Sequence, residues 1–159
     1  PAHLWALRGV MGPYAKWLAG QYMKPKPRTA LPQMPEALRR HAEYATSFLQ
    51  SSPREISGTM SKHQLGLADR QCRMSELSQR IQDAVTILCT ALYGAQQNDE
   101  VVRHAADIAC QDLKRKITGE RPSDRYYKSI TKLGAAIADG GFKSIAGLNA
   151  GEIMMQYDS

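Results

Sequence analysis

Between Ala68 and Gln97 apolar residues return every three or four positions, at Met74, Leu77, Ile81, Ala84, Leu88 and Leu92, with Arg73, Ser75, Glu76, Arg80 and Asp83 between them. Side chains three and four apart share a helix face, so this spacing predicts one apolar stripe along a helix of more than six turns. A helix of that length is about twice the usual one and is marginal by itself in water, so other amphipathic segments must cover it. The predicted fold class is all-α: an antiparallel helical bundle of about four to five helices around one long central helix. A covered stripe of this kind is expected to leave no cleft for reaction chemistry.

The flanking segments supply the companions. Residues 4 to 23 read as a first helix, broken or kinked at Gly12-Pro13 because proline removes a helix hydrogen bond. Its aromatic-rich face, Met11, Tyr14, Trp17, Leu18 and Tyr22, suits either a membrane surface or a neighbouring domain or subunit. Residues 24 to 35 hold four prolines and read as an extended, semi-rigid connector. From Pro35 a second helix is predicted to about Ser51, with Met34, Leu38, His41, Ala45 and Phe48 on its apolar face. His41 on that face is read as a hydrogen-bonded structural imidazole. Ser51-Ser52-Pro53 ends or kinks the helix, and a further turn or two through Ile56 and Met60 reaches a C-cap at Gly66.

Asn98 is expected to cap a fourth helix with the stripe Val102, Ala106, Ala109, Leu113 and Ile117, stopped at Thr118-Gly119. Ser123 caps a fifth, running to about Ala138 and burying Tyr127, Ile130, Leu133 or Gly134, and Ile137. Three divisions follow: residues 1–34 as N-terminal helix and connector, 35–139 as the bundle, and 140–159 as a tail. The tail carries Phe142, Ile145, Leu148, Ile153 and Met154 in a weaker pattern, a short docked helix or an extended arm.

At 159 residues the chain is one domain's worth, large enough to bury a core without staples. Cys72, Cys89 and Cys110 are odd in number and fall inside predicted helices, so they are read as small buried hydrophobes of a reducing, intracellular compartment. No apolar run approaches the ~18 residues of a membrane span, and no signal peptide is recognised. An opening at Pro1, directly before helix-like sequence, is read as a piece of a longer protein.

The net charge of +6 points to anionic partners. The excess gathers at Lys24 to Arg28 and at Lys114, Arg115, Lys116, Arg121, Arg125, Lys128 and Lys132, the latter interleaved with Tyr126 and Tyr127. Such a corner reads either as a solvated basic face or as an anion-binding corner for nucleic acid or acidic lipid. Neither a phosphate-binding glycine loop nor a nucleophile elbow is present. His3, His41, His63 and His104 are scattered, which predicts no metal site, and Asp107 and Asp112, five apart, project differently and form no carboxylate pair.

Four stretches carry a likeness to a known family: Ala6-Leu7-Arg8-Gly9, Met34-Pro35-Glu36-Ala37-Leu38, Arg70 to Gln97 and Asp107-Ile108-Ala109-Cys110. The nearest likeness lies at Arg70-Gln71, Leu77, Ile81-Gln82-Asp83-Ala84 and Leu88. Together they resemble the extra C-terminal helical domain of the very-long-chain acyl-CoA dehydrogenase group. The resemblance implies a parent enzyme that binds FAD. There a glutamate removes the α-proton of an acyl-CoA, and a hydride passes from the β-carbon to the flavin.

The base would precede Pro1, and no catalytic, cofactor-binding or metal residue is carried over to this chain. The resemblance further implies packing on a dehydrogenase core, a dimeric assembly and attachment at a membrane surface. The connector is shorter and richer in proline than the family's, which bears against the membrane role. The alternative is a free-standing helical adaptor that binds nucleic acid or anionic lipid through the basic corner.

Overall fold

The computed structural model describes residues 2–23, 29–63, 66, 69, 71–140 and 142–143, with side chains from residue 9 onward. Five helices follow one another: α1 (Ala2–Met23), α2 (Glu36–His63), α3 (Gln71–Gln96), α4 (Glu100–Thr118) and α5 (Asp124–Ala138). No strand occurs among the described residues. α3 lies between α2 and α4 and packs most extensively against both, so it is the central helix. It is not the longest, because α2 runs on through Pro53 to His63.

The hydroxyls of Ser51 and Ser52 both donate to the carbonyl of Phe48, 2.7 and 3.0 Å away, just before the turn where proline removes a donor. α1 likewise continues through Pro13. Neither proline ends its helix.

Buried small residues set the packing. Leu38, Ala42 and Ala45 at the start of α2 meet Ile87 and Ala91 near the end of α3, and Ala106 and Cys110 of α4 close the same cluster. The start of one helix meeting the end of the next makes successive helices antiparallel, as their short connections require. Alanines at these positions let the backbones approach closely. α2, α3 and α4 come close together at Gly94, where a Cβ would stand 2.6 Å from Ala106 Cβ and 3.2 Å from Leu38 Cδ1. A side chain is therefore excluded there by the neighbouring helix.

The stripe of α3 is rotated from the one predicted. Leu77 and Ala84 are buried as expected, but Ile87, Ala91 and Gly94 fill the seam while Leu88 and Leu92 are only half-buried. In α4 the buried set is Val102, Ala106, Ile108 and Cys110, and Ala109 is exposed. Tyr126 and Leu133 are the buried residues of α5, whereas Tyr127, Ile130 and Ile137 face outward. α5 packs mainly on α4 and so needs only a narrow apolar seam, Tyr126 and Leu133 against Ile108.

Helix ends follow local chemistry. Asp99, one residue later than expected, caps α4 by accepting from the Val101 amide at 2.8 Å. Gly119 ends α4 at φ 73°, the left-handed region glycine enters without a Cβ penalty. Ser123 caps α5 as predicted, accepting from the Tyr126 amide.

Of the cysteines only Cys110 is buried; Cys72 and Cys89 are exposed on α3, on the sides its neighbours leave open. Residues 29–35 are non-helical, as the connector's prolines dictate, and Leu31 and Met34 pack against the main core. Lys24 to Arg28 and the expected tail helix or arm beyond Lys143 lie outside the described residues.

Candidate functional site

The expected basic corner is only partly a unit. Lys114, Arg115, Arg121 and Arg125 line one cavity of about 540 Å³, and Arg40 reaches it from α2. The same walls carry His41, Asp107, Gln111, Glu120, Tyr126 and Ser129. Lys116 and Lys128 are exposed and do not line it, while Lys132 lines a separate hollow of about 480 Å³ beside His104. The expectation that helix packing leaves no cleft is thus corrected. The turn from Gly119 to Ser123 holds α5 against α4, and an open polar concavity remains where these meet the start of α2.

Two of the cations are fixed by aromatic rings. The Arg115 guanidinium lies 3.9 Å from the Tyr126 ring centroid, and its Nη2 donates to Asp112 Oδ1 at 2.6 Å and to Tyr126 Oη at 3.0 Å. Tyr126 Oη in turn donates to Asp112 Oδ1. Burial, then its bond to Asp112, raises the Tyr126 pKa above the ordinary phenol value. Arg115 Nη1 is shut off from solvent with no acceptor among the described residues. Lys114 Nζ sits 5.0 Å from the centroid of Tyr44, a ring on α2 whose own pKa is raised, chiefly by burial.

Arg121 and Arg125 make no ion pair among the described residues, and Arg40 holds Glu36 at 3.3 Å with its side chain 71% exposed. Of the two carboxylates on the cleft walls, Asp107 is already engaged. It accepts from His41 Nε2 at 2.8 Å and from Gln111 Nε2 at 2.9 Å. Burial would raise its pKa, but the hydrogen bond and charge of His41, the bond from Gln111 and the charge of His104 outweigh burial and lower it. His41 is thus a structural imidazole with an acidic partner that its position in the sequence does not reveal.

Among the described residues, the one contact with a nucleophile's geometry is His104 Nε2 to Ser129 Oγ at 2.6 Å. A working nucleophile needs a base that is itself oriented by a third group. Among the described residues no acid bonds the other nitrogen of His104, and Asp107 is committed to His41 and Gln111. Asp107 and Asp112 serve separate networks, as their spacing predicts. No group of three or more His, Cys, Asp and Glu among the described residues could hold a metal ion.

A second candidate surface is α1. Met11, Tyr14, Trp17 and Tyr22 are exposed, with Val10 and Met23 beside them, and Leu18 is half-buried. The Tyr14 and Trp17 rings stack at 5.8 Å between centroids. α1 touches the rest mainly along α2, where Arg54 donates to the Gln21 carbonyl and lies 5.2 Å from the Tyr22 ring centroid. No helix among the described residues is long and apolar enough to cross a membrane.

Fold and site together define an all-α bundle with a cation-walled cleft and one helix that exposes an aromatic face. Comparison with known protein families, curated proteins and solved structures finds no match to the chain.

Proposed function

We propose that this chain is a noncatalytic helical domain from the C-terminal end of an FAD-dependent acyl-CoA dehydrogenase of fatty-acid β-oxidation, serving subunit packing. The sequence resemblance names the family. The observation that carries the packing role is α1, which leaves Met11, Tyr14, Trp17 and Tyr22 uncovered in the isolated chain. A contiguous aromatic face of this kind marks a surface made for another protein or a membrane. Its occupant, on this reading, is the dehydrogenase core. The flavin and the catalytic base belong to that core, and no residue of this chain is assigned to either. The compartment is intracellular and reducing.

The coding frame upstream of residue 1 tests the proposal directly. A flavin-binding core ending in a glutamate-glycine loop supports it, and an unrelated upstream domain overturns it. A second test uses the 159-residue chain. It is expected to purify without a flavin absorbance band and to capture the separately expressed core, with capture lost in the Tyr14→Ser, Trp17→Ser double variant. Flavin bound by the isolated chain overturns the noncatalytic reading, and binding to lipid vesicles in place of the core overturns the packing role.

A further inference from the structure

We propose that the cleft between α2, α4 and the start of α5 binds a phosphoryl group, carried by a small soluble phosphate or by a phosphorylated lipid headgroup. This rests on the cleft alone and is independent of the family assigned above. Five cations, Arg40, Lys114, Arg115, Arg121 and Arg125, come from three separate stretches of chain and face one concavity that holds only two carboxylates. Asp107 is taken up by His41 and Gln111, while Asp112 and Glu36 pair with Arg115 and Arg40, so Glu120 is the one acid of the cleft wall left to oppose Lys114, Arg121 and Arg125.

The cations fall into two kinds. Lys114 and Arg115 are held by the Tyr44 and Tyr126 rings, Arg115 also by Asp112, and they form a fixed wall. Arg121 and Arg125, without ion-pair partners among the described residues, are free to close on a ligand, and Arg40 can exchange its exposed pair with Glu36 for one. Guanidinium forks match phosphoryl oxygens two at a time. The volume, about 540 Å³, lies within the usual range of small-ligand sites.

Shape decides against a nucleic-acid track. Lys116, Lys128 and Lys132, the remaining cations of the corner, do not line the cleft. An extended polyanion would want cations spaced along a groove, whereas a compact phosphoryl group wants them converging.

The test is titration of the 159-residue chain with pyrophosphate, followed by calorimetry and by amide NMR shifts. Saturable one-to-one binding is expected, with the largest shifts at residues 119–126 and at Arg40. Arg121→Gln with Arg125→Gln should weaken it at least about tenfold, while Lys62→Gln, at the far end of α2, leaves it unchanged. These arginines are exposed, so an unaltered helical dichroism spectrum is expected and confirms that the fold persists.

Cosedimentation with phosphatidic acid vesicles, displaced by pyrophosphate and lost in the double variant, supports the site and assigns a lipid source. Pyrophosphate binding without cosedimentation supports it and assigns a soluble source. Absence of saturable pyrophosphate binding overturns the proposal, as does binding that the double variant leaves intact. Retention of single-stranded RNA that pyrophosphate does not displace also overturns it.

Discussion

His41 Nε2 and Asp107 Oδ1 lie 2.8 Å apart although 66 positions separate them in sequence, and the bond ties α2 to α4. Both side chains are mostly buried, 12% and 22% exposed, so water screens the contact less than at an open surface. Asp107 has its pKa lowered in the folded chain. Its contribution to stability is therefore fully present above the unfolded carboxylate value, about 3.9, and is lost as pH falls through the lower folded value. Asp107→Asn should be less stable than the parent at neutral pH, and the difference should shrink as the pH is lowered past the carboxylate range. Urea unfolding at a series of pH values checks this; a gap that stays constant would contradict it.

Gly94 and Gly134 make a matched pair. Both sit inside helices, where alanine ordinarily gains about 0.5–1 kcal/mol. At Gly134 no atom lies within 4 Å of an added Cβ, so Gly134→Ala should stabilise by about that amount. At Gly94 the new methyl meets Ala106 Cβ at 2.6 Å. A Cβ cannot rotate away, so α3 and α4 must separate, and Gly94→Ala should destabilise by about 1–3 kcal/mol. Thermal or urea unfolding of the two variants should move in opposite directions.

The cysteines should divide two to one. Cys72 and Cys89 are exposed, and a thiol-specific disulfide reagent should modify both quickly at mildly alkaline pH. Cys110 is fully buried, its Sγ donating to the Ile87 carbonyl at 3.5 Å, and burial, then the charge of Asp107, pushes its pKa up to about 12. Its thiol should react only after denaturant is added. Counting released chromophore before and after unfolding gives the answer.

Tyr126→Phe keeps the ring beneath Arg115 but deletes the hydroxyl shared by Arg115 and Asp112. The expected loss is about 1 kcal/mol, since Asp112 retains Arg115 as a partner. The raised pKa of Tyr126 adds a pH signature. Folding holds its proton more tightly than the unfolded chain does, so its contribution is present below the ordinary phenol value, about 10, and is lost as pH rises through the folded value. Alkaline unfolding curves of parent and Tyr126→Phe should converge at high pH.

Helix class and count were legible because the apolar period and the capping residues are local quantities. Ser123 and Gly119 can be read directly, since a cap depends on its own backbone and the next few amides. The same holds for the aromatic face of α1. What the period leaves loose is helix rotation. Leu88 and Leu92 look like the seam of α3, but Ile87, Ala91 and Gly94 occupy it, because small residues admit the neighbouring backbones and larger ones do not.

Pro53 likewise looks like a stop, yet one proline costs about 3 kcal/mol, and a helix packed as extensively on α3 as α2 is can carry that. Tertiary structure alone brought Arg40 to Arg121 and Arg125, paired His41 with Asp107, and left Lys116 and Lys128 outside the cleft. Convergence depends on where separate helices cross, and the crossing is set by packing of small side chains that no stretch of sequence contains by itself.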